Sequence, residues 1–186
     1  MSGRYDLKLL YSRDEIAATV RRLAGQISAD YAGNDLLVIG VLKGAVVFMA
    51  DLIREIDVPL EIDFIGLSSY GDGVTSCGKV KLTAYPTARI EGRHILVVED
   101  IVDTGLCIEA LLKFLAERRP ASIKVCALMD KPARHQVPID IAYSGFTVPD
   151  KFVVGYGLDF AQRYRHLPQI FTLEEAAGDG QAAADD

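Results

Sequence analysis

The segment Ile95–Cys107, ILVVEDIVDTGLC, constrains the fold of this chain more than any other. Four apolar, β-prone residues, Ile95-Leu96-Val97-Val98, run straight into Glu99 and Asp100. Ile101 and Val102 follow, then Asp103-Thr104-Gly105, then an amphipathic stretch. This order reads as a buried parallel strand, a tight acidic loop and a helix N-terminus. A helix start beside Thr and Gly offers backbone N–H groups and the positive end of a dipole, which suit a phosphate. The adjacent acids repel phosphate but accept from ribose hydroxyls, and they can hold Mg²⁺ or a proton. A loop that combines these groups is suited to a phosphorylated sugar.

The rest of the chain repeats the strand–helix alternation. Ser12 caps a helix, with Glu15 at the capping-box position and Ile16, Val20, Leu23 and Ile27 at helical spacing. Residues 35–42 read as a buried strand and 45–56 as its following helix. Residues 61–67 and 79–84 carry β patterns, 105–118 a helix and 122–129 another strand. Short β segments are expected at 139–143 and 152–156. The stretch 70–78 holds three glycines and reads as a long mobile loop. Such alternation predicts an α/β fold with a mainly parallel sheet. Residues 40–44, 99–105 and 130–134 each follow a strand's C-terminal end, so they should gather on the rim where such sheets bind ligands.

With 186 residues and no evident linker, residues 1–173 are expected to form a single domain. The Ala-, Gly- and acid-rich 174–186 reads as a disordered acidic tail. A net charge of −6 speaks against a general nucleic-acid binder but not against an anionic ligand held in a local cationic cleft. Cys77, Cys107 and Cys126 are odd in number and form no C-x-x-C unit, as expected of reduced thiols in a cytoplasmic protein. No stretch reads as a signal peptide or membrane span; Lys43 and Asp51 interrupt the most apolar one.

Val-Val-Glu-Asp-Ile-Val-Asp-Thr-Gly, residues 97–105, resembles the signature of the type I phosphoribosyltransferases, which bind phosphoribosyl pyrophosphate (PRPP). Gly40-Val41-Leu42-Lys43-Gly44, Leu67-Ser68-Ser69-Tyr70-Gly71 and the run from Val148 to Asp159 resemble the hypoxanthine-guanine branch of that family. The resemblance spans residues 7–171. It implies a five-stranded parallel core flanked by helices, with a small hood built from both chain ends.

The resemblance also implies site roles. Glu99 and Asp100 would hold the ribose hydroxyls, directly or through Mg²⁺, and Asp103 would act as the acid/base at purine N7. Asp103, Thr104, Gly105, Leu106 and Cys107 would cradle the 5′-phosphate. The family usually has a hydroxyl residue where this chain has Cys107; a thiol donates weakly, so one phosphate hydrogen bond is expected to be lost or taken over by backbone. Lys43 and Gly44 would bind pyrophosphate in a turn that holds a cis peptide in the family, and Arg165 would neutralise it. Ser69 and Tyr70 would begin a closing lid. Lys131 would donate to the O6 of a 6-oxopurine, Phe152 would stack on the base and Val153 would offer its backbone. Asp159 would serve Mg²⁺–pyrophosphate through waters. A second pyrophosphate-facing cation falls on Arg134 or His135.

Rival readings are weaker. The chain has one Asp-Thr-Gly, followed by a helix, where aspartic proteases have two on a β scaffold. Lys43-Gly44 lacks the Gly-x-x-x-x-Gly-Lys of an ATPase. An ammonium at Lys131 cannot accept from adenine's amino group, which favours an oxopurine. The expected products are IMP or GMP, and the expected assembly is a homodimer or homotetramer without nucleic acid or membrane partners.

Overall fold

The computed structural model describes residues 5–69 and 80–175. Its main sheet is six-stranded. In spatial order it holds β4 (Val80–Ala84), β3 (Leu60–Ser69), β2 (Leu36–Leu42), β5 (His94–Val102), β6 (Ser122–Asp130) and β7 (Tyr143–Thr147). Strands β3, β2, β5, β6 and β7 are mutually parallel. Only the edge strand β4 runs antiparallel.

Alternation along each central strand feeds two apolar layers, because successive side chains point to opposite faces. Leu36, Val38, Leu96, Val98, Cys126 and Leu128 pack with α1 (Arg13–Asp30) and α2 (Val46–Glu55). Leu37, Ile39, Ile95, Val97, Val125 and Ala127 pack with Ile108, Leu111 and Leu115 of α3 (Leu106–Ala116). Helix α1 begins at the expected capping box: the Glu15 N–H donates to Ser12 Oγ and the Ser12 N–H to Glu15 Oε2, at 3.4 and 2.8 Å. Its predicted stripe Ile16, Val20, Leu23 and Ile27 is buried.

A second sheet forms the hood. Strand β1 (Tyr5–Tyr11) pairs antiparallel with β9 (Ile170–Glu175), and β9 pairs antiparallel with β8 (Val153–Val154). The first and last described strands are therefore paired with each other. No helix among the described residues is long and apolar enough to cross a membrane.

Four expectations shift. Glu99 and Asp100 lie on β5 rather than in a loop, because pairing with β6 continues through Glu99–Ala127 to Val102–Asp130. The strand expected at 139–143 lies at 143–147; Ile139 and Ile141 are apolar because they pack into the α3-side layer outside any strand. Strand β8 is cut short by positive φ at Gly155, Tyr156 and Gly157, a conformation that breaks the ladder. Strand β9 continues past the expected boundary at 173, since Glu174 opposes Asp6 and accepts from Lys151 Nζ at 2.8 Å. The expected loop 70–78, with Tyr70 and Cys77, and residues 176–186 lie outside the described residues.

Candidate active site

The parallel strands β2, β5 and β6 deliver their following turns to one edge. After β2 comes the Leu42–Gly44 turn, whose Leu42–Lys43 peptide is cis. Lys43 is exposed. Gly44 has no room for a side chain: a Cβ there would overlap the Asp100 carboxylate, at 1.7 Å from Oδ2. The turn is thus pressed against the acidic end of β5.

Glu99 and Asp100 hold the centre. Asp100 is buried, and its Oδ1 accepts from the Ile101 N–H at 3.0 Å. Glu99 Oε2 is fully shielded and has no hydrogen-bond partner. Burial raises both carboxyls above the ordinary carboxylate range, Glu99 strongly, with the charge of Asp100 adding to its shift. The Arg165 guanidinium pulls the other way on Asp100. A hydrogen bond to the Asp100 carboxyl adds to the upward shift of Glu99 and leaves Oε2 as the unpartnered buried oxygen of the pair.

Helix α3 starts at Gly105, which has φ 83° and makes no side-chain cap. The helix's first N–H groups therefore receive no acceptor from a cap side chain. Together with Glu99–Thr104, Gly105, Cys107 and Ile108 they surround a cavity of ≈ 150 Å³. Thr104 is buried, and its carbonyl accepts from the Gln136 N–H at 2.9 Å, which ties the loop to the segment after β6.

That segment supplies the opposite wall. Lys131 is 7% exposed, and its ammonium donates to the Lys151 carbonyl at 2.7 Å. Burial lowers its pKa. Arg134 bridges two acids: Nε to Asp103 Oδ1 at 2.5 Å and Nη1 to Asp150 Oδ1 at 3.0 Å. His135 Nε2 lies 2.8 Å from Asp130 Oδ1. Phe152 is 43% exposed although apolar, and its ring meets Phe160 edge-on at 5.5 Å. Val153 beside it is buried in β8.

The hood closes over the β2 turn through residues 155–165. A Cβ on Gly157 would lie 2.1 Å from the Gly44 carbonyl, so the two glycine backbones are in direct contact. Arg165 donates to the Gly157 carbonyl at 2.7 Å and pairs with Asp159 at 2.5 Å.

This geometry has clear counterparts. The sequence profile of the phosphoribosyl transferase domain matches residues 8–161. The chain is 47% identical to the hypoxanthine-guanine phosphoribosyltransferase of Bacillus subtilis (strain 168), over 91% of this chain and 94% of that protein. The chain belongs to the phosphoribosyl transferase family, on its hypoxanthine-guanine branch. A crystal structure of a hypoxanthine-guanine phosphoribosyltransferase from Bacillus anthracis superposes with a TM-score of 0.86 at 44% identity, covering 90% of this chain and 99% of that one. The bifunctional protein TilS/HprT of Listeria innocua is also 47% identical over 90% of this chain, which spans about a quarter (26%) of that protein's length.

Within this member of the family, the predicted site residues fall into two groups. Lys43, Gly44, Glu99, Asp100, Thr104, Gly105, Leu106, Cys107, Asp159 and Arg165 line the β2 and β5 turns and the hood loop above them. Lys131, Phe152 and Val153 line the β6–β8 side, and Asp103 lines the β5–α3 cavity while pairing with Arg134 of the other side. Ser69 ends β3, and Tyr70 is outside the described residues. Sequence reasoning missed the partners of both candidate cationic positions: Arg134 faces Asp103 and Asp150, and His135 faces Asp130. It also missed Asp150 and the Tyr156 turn. The Gly155-Tyr156-Gly157 spacing is a signal for left-handed backbone that pattern reading passed over.

Proposed function

We propose that the protein salvages purines by transferring the 5-phosphoribosyl group of PRPP to N9 of hypoxanthine, and of guanine. The N9–C1′ bond forms, the C1′–oxygen bond to pyrophosphate breaks, and the products are IMP or GMP and pyrophosphate. The observation that carries this reading is the convergence of the shielded Glu99–Asp100 pair, the uncapped α3 start and the Gly44–Gly157 contact on one edge.

In this reading the N–H groups of Thr104–Cys107 hold the 5′-phosphate, assisted by the α3 dipole. Glu99 and Asp100 accept from the ribose hydroxyls. Lys43, Gly44 and Arg165 hold the pyrophosphate. Lys131 donates to O6, and the exposed face of Phe152 stacks on the base beside the Val153 backbone. Asp103 takes the N7 proton as N9 attacks, and positioning supplies much of the remaining rate.

The residues present also fit Mg²⁺. It takes one or two carboxylates and leaves its other positions to water and phosphate, and the unpartnered Glu99 oxygen beside Asp100 is such a donor set. Glu99 and Asp100 would hold the ion, and Asp159 would reach it through water. When bound, the ion supplies charge neutralisation to the leaving pyrophosphate. We further read the protein as a cytoplasmic homodimer or homotetramer with small-molecule substrates and no nucleic-acid or membrane partner.

The test is direct: PRPP, Mg²⁺ and hypoxanthine should yield equimolar IMP and pyrophosphate, with guanine giving GMP. Binding of PRPP without product from any of hypoxanthine, guanine or xanthine would leave a PRPP-binding protein and sink the enzyme reading. Light scattering of the purified protein checks the assembly, and a monomer at micromolar concentration would contradict it.

A further inference from the structure

Tyr156 and Asp51 are 105 positions apart in sequence and joined by a 2.6 Å hydrogen bond from the Tyr156 hydroxyl to Asp51 Oδ2. Tyr156 is 5% exposed and has φ 50°, between Gly155 at 96° and Gly157 at 102°. A bulky aromatic residue in the left-handed region is uncommon and needs its surroundings to hold it there. Its N–H donates to the Leu167 carbonyl at 2.8 Å, and the Gly157 N–H donates to the Arg165 carbonyl at 3.0 Å. Those bonds knit residues 155–167 to themselves. The Tyr156 hydroxyl instead reaches across to α2, where Arg54 also pairs with Asp51.

The consequence lies one residue further on. Gly157 rests against the Gly44 carbonyl, and its own carbonyl takes Arg165 Nη1, which pairs with Asp159. The helix that holds Asp51 begins directly after the Lys43–Gly44 turn. A bond from Tyr156 to α2 therefore fixes the hood loop and the β2 turn as one unit.

We propose that Asp51 and Tyr156 are positioning residues that set the gap between the Lys43–Gly44 turn and the Asp159–Arg165 pair, and with it the affinity for the pyrophosphate end of PRPP. This rests on the phosphoribosyl-transfer reading above. On that reading neither residue contacts substrate directly. Breaking the bond leaves Lys131, Asp103 and Arg134 in place, because other contacts hold them.

The experiment measures KM for PRPP, for pyrophosphate in the reverse reaction and for hypoxanthine, together with kcat and Tm. The variants are Tyr156→Phe, Asp51→Ala and Asp51→Asn. A hydrogen bond to a charged acceptor is worth about tenfold or more in an equilibrium. Tyr156→Phe and Asp51→Ala should raise KM for PRPP and pyrophosphate about tenfold, with hypoxanthine KM within about twofold. Asp51→Asn keeps an acceptor and should restore most of the affinity. If Tyr156→Phe does not fold, the same split is read on Asp51→Ala. A lower Tm with unchanged PRPP and pyrophosphate KM would make the bond a brace of the fold only and overturn the proposal. Equal rises for PRPP and hypoxanthine would overturn it too. Arg165→Ala separates the two levels: if it leaves PRPP KM unmoved, the pyrophosphate assignment itself fails, whereas a rise there without one in Tyr156→Phe removes only the positioning role.

Discussion

At the β5–α3 end of the site, Glu99 Oε2 has no partner and the α3 start has no side-chain cap. At the β6–β8 end, Lys131 already holds the Lys151 carbonyl, and Arg134 holds Asp103 and Asp150. The contrast follows from what carries the groups. Strand and helix fix the first set, so a buried acceptor can stay unsatisfied without collapsing onto a neighbour. Long side chains at the ends of strands and in turns carry the second set, and they pair with whatever lies in reach. On the proposed assignment, the sugar–phosphate end would be organised before ligand arrives, while the base end would exchange protein partners for the purine. Asp103 is the joint, since it leaves β5 and is held by Arg134 from the far wall.

Removing the joint should have the largest effect. Asp103→Asn keeps the shape and deletes the base, so turnover should fall by roughly 10²–10⁴ with PRPP binding little changed. Steady-state rates beside equilibrium PRPP binding check this; near-normal turnover would remove Asp103 from the chemistry.

At the base end, Lys131→Ala should cost hypoxanthine efficiency about tenfold to a hundredfold, the worth of a charge-assisted bond to O6. Discrimination against adenine should shrink with it. Comparison of kcat/KM for the two bases reads this out.

A smaller effect probes the crowding at the sugar–phosphate end. Gly44→Ala puts a methyl group where the Asp100 carboxylate sits. Overpacking of this kind costs about 1–3 kcal/mol, and PRPP affinity should fall while purine-analogue binding stays. A fully active, equally stable Gly44→Ala protein would show that the turn and Asp100 are not in contact.

How much of this contrast could be read from sequence follows from the range of each interaction. The apolar runs at 36–42, 95–98 and 122–129, the Ser12–Glu15 box and the Asp-Thr-Gly turn are local patterns, and each produced the element expected of it. The place of Glu99 and Asp100 was misread because pairing with β6 carries polar residues along a strand that composition alone would end at Val98. Ile139 and Ile141 were misread because packing beneath α3 and membership of a strand demand the same side chains. Tyr156–Asp51, Arg134–Asp103 and Lys131–Lys151 were invisible because nothing local marks a partner 20 to 105 residues away. The charged pairing of the base end is thus structural information, whereas much of the sugar–phosphate end is written in one contiguous motif.

The smallest predicted effect has the opposite sign to the others. Glu99 is held above its ordinary value mainly by burial, with the Asp100 charge adding to it. A raised carboxyl binds its proton more tightly folded than unfolded, so its contribution to stability is present at low pH and is lost as pH rises above the unfolded value, about 4.3. Glu99→Gln in the free protein should therefore be more stable at pH 8, by about 2–4 °C in Tm for each 1 kcal/mol relieved, and the gain should vanish near pH 4. The same variant should lose PRPP–Mg²⁺ affinity. Thermal melts across pH check it, and a destabilised Glu99→Gln at pH 8 would mean the carboxylate is satisfied in the free protein.

The claim that one end is ready and the other must exchange partners is tested most directly by binding PRPP–Mg²⁺ calorimetrically, without purine, to the wild type, Asp103→Asn, Lys131→Ala and Glu99→Gln. The account predicts tight binding to the wild type, nearly equal affinity for Asp103→Asn and Lys131→Ala, and a clear loss for Glu99→Gln. Collapse of PRPP binding in Lys131→Ala, with the hypoxanthine-to-adenine ratio unchanged, would make Lys131 a phosphate ligand and contradict the division of the site.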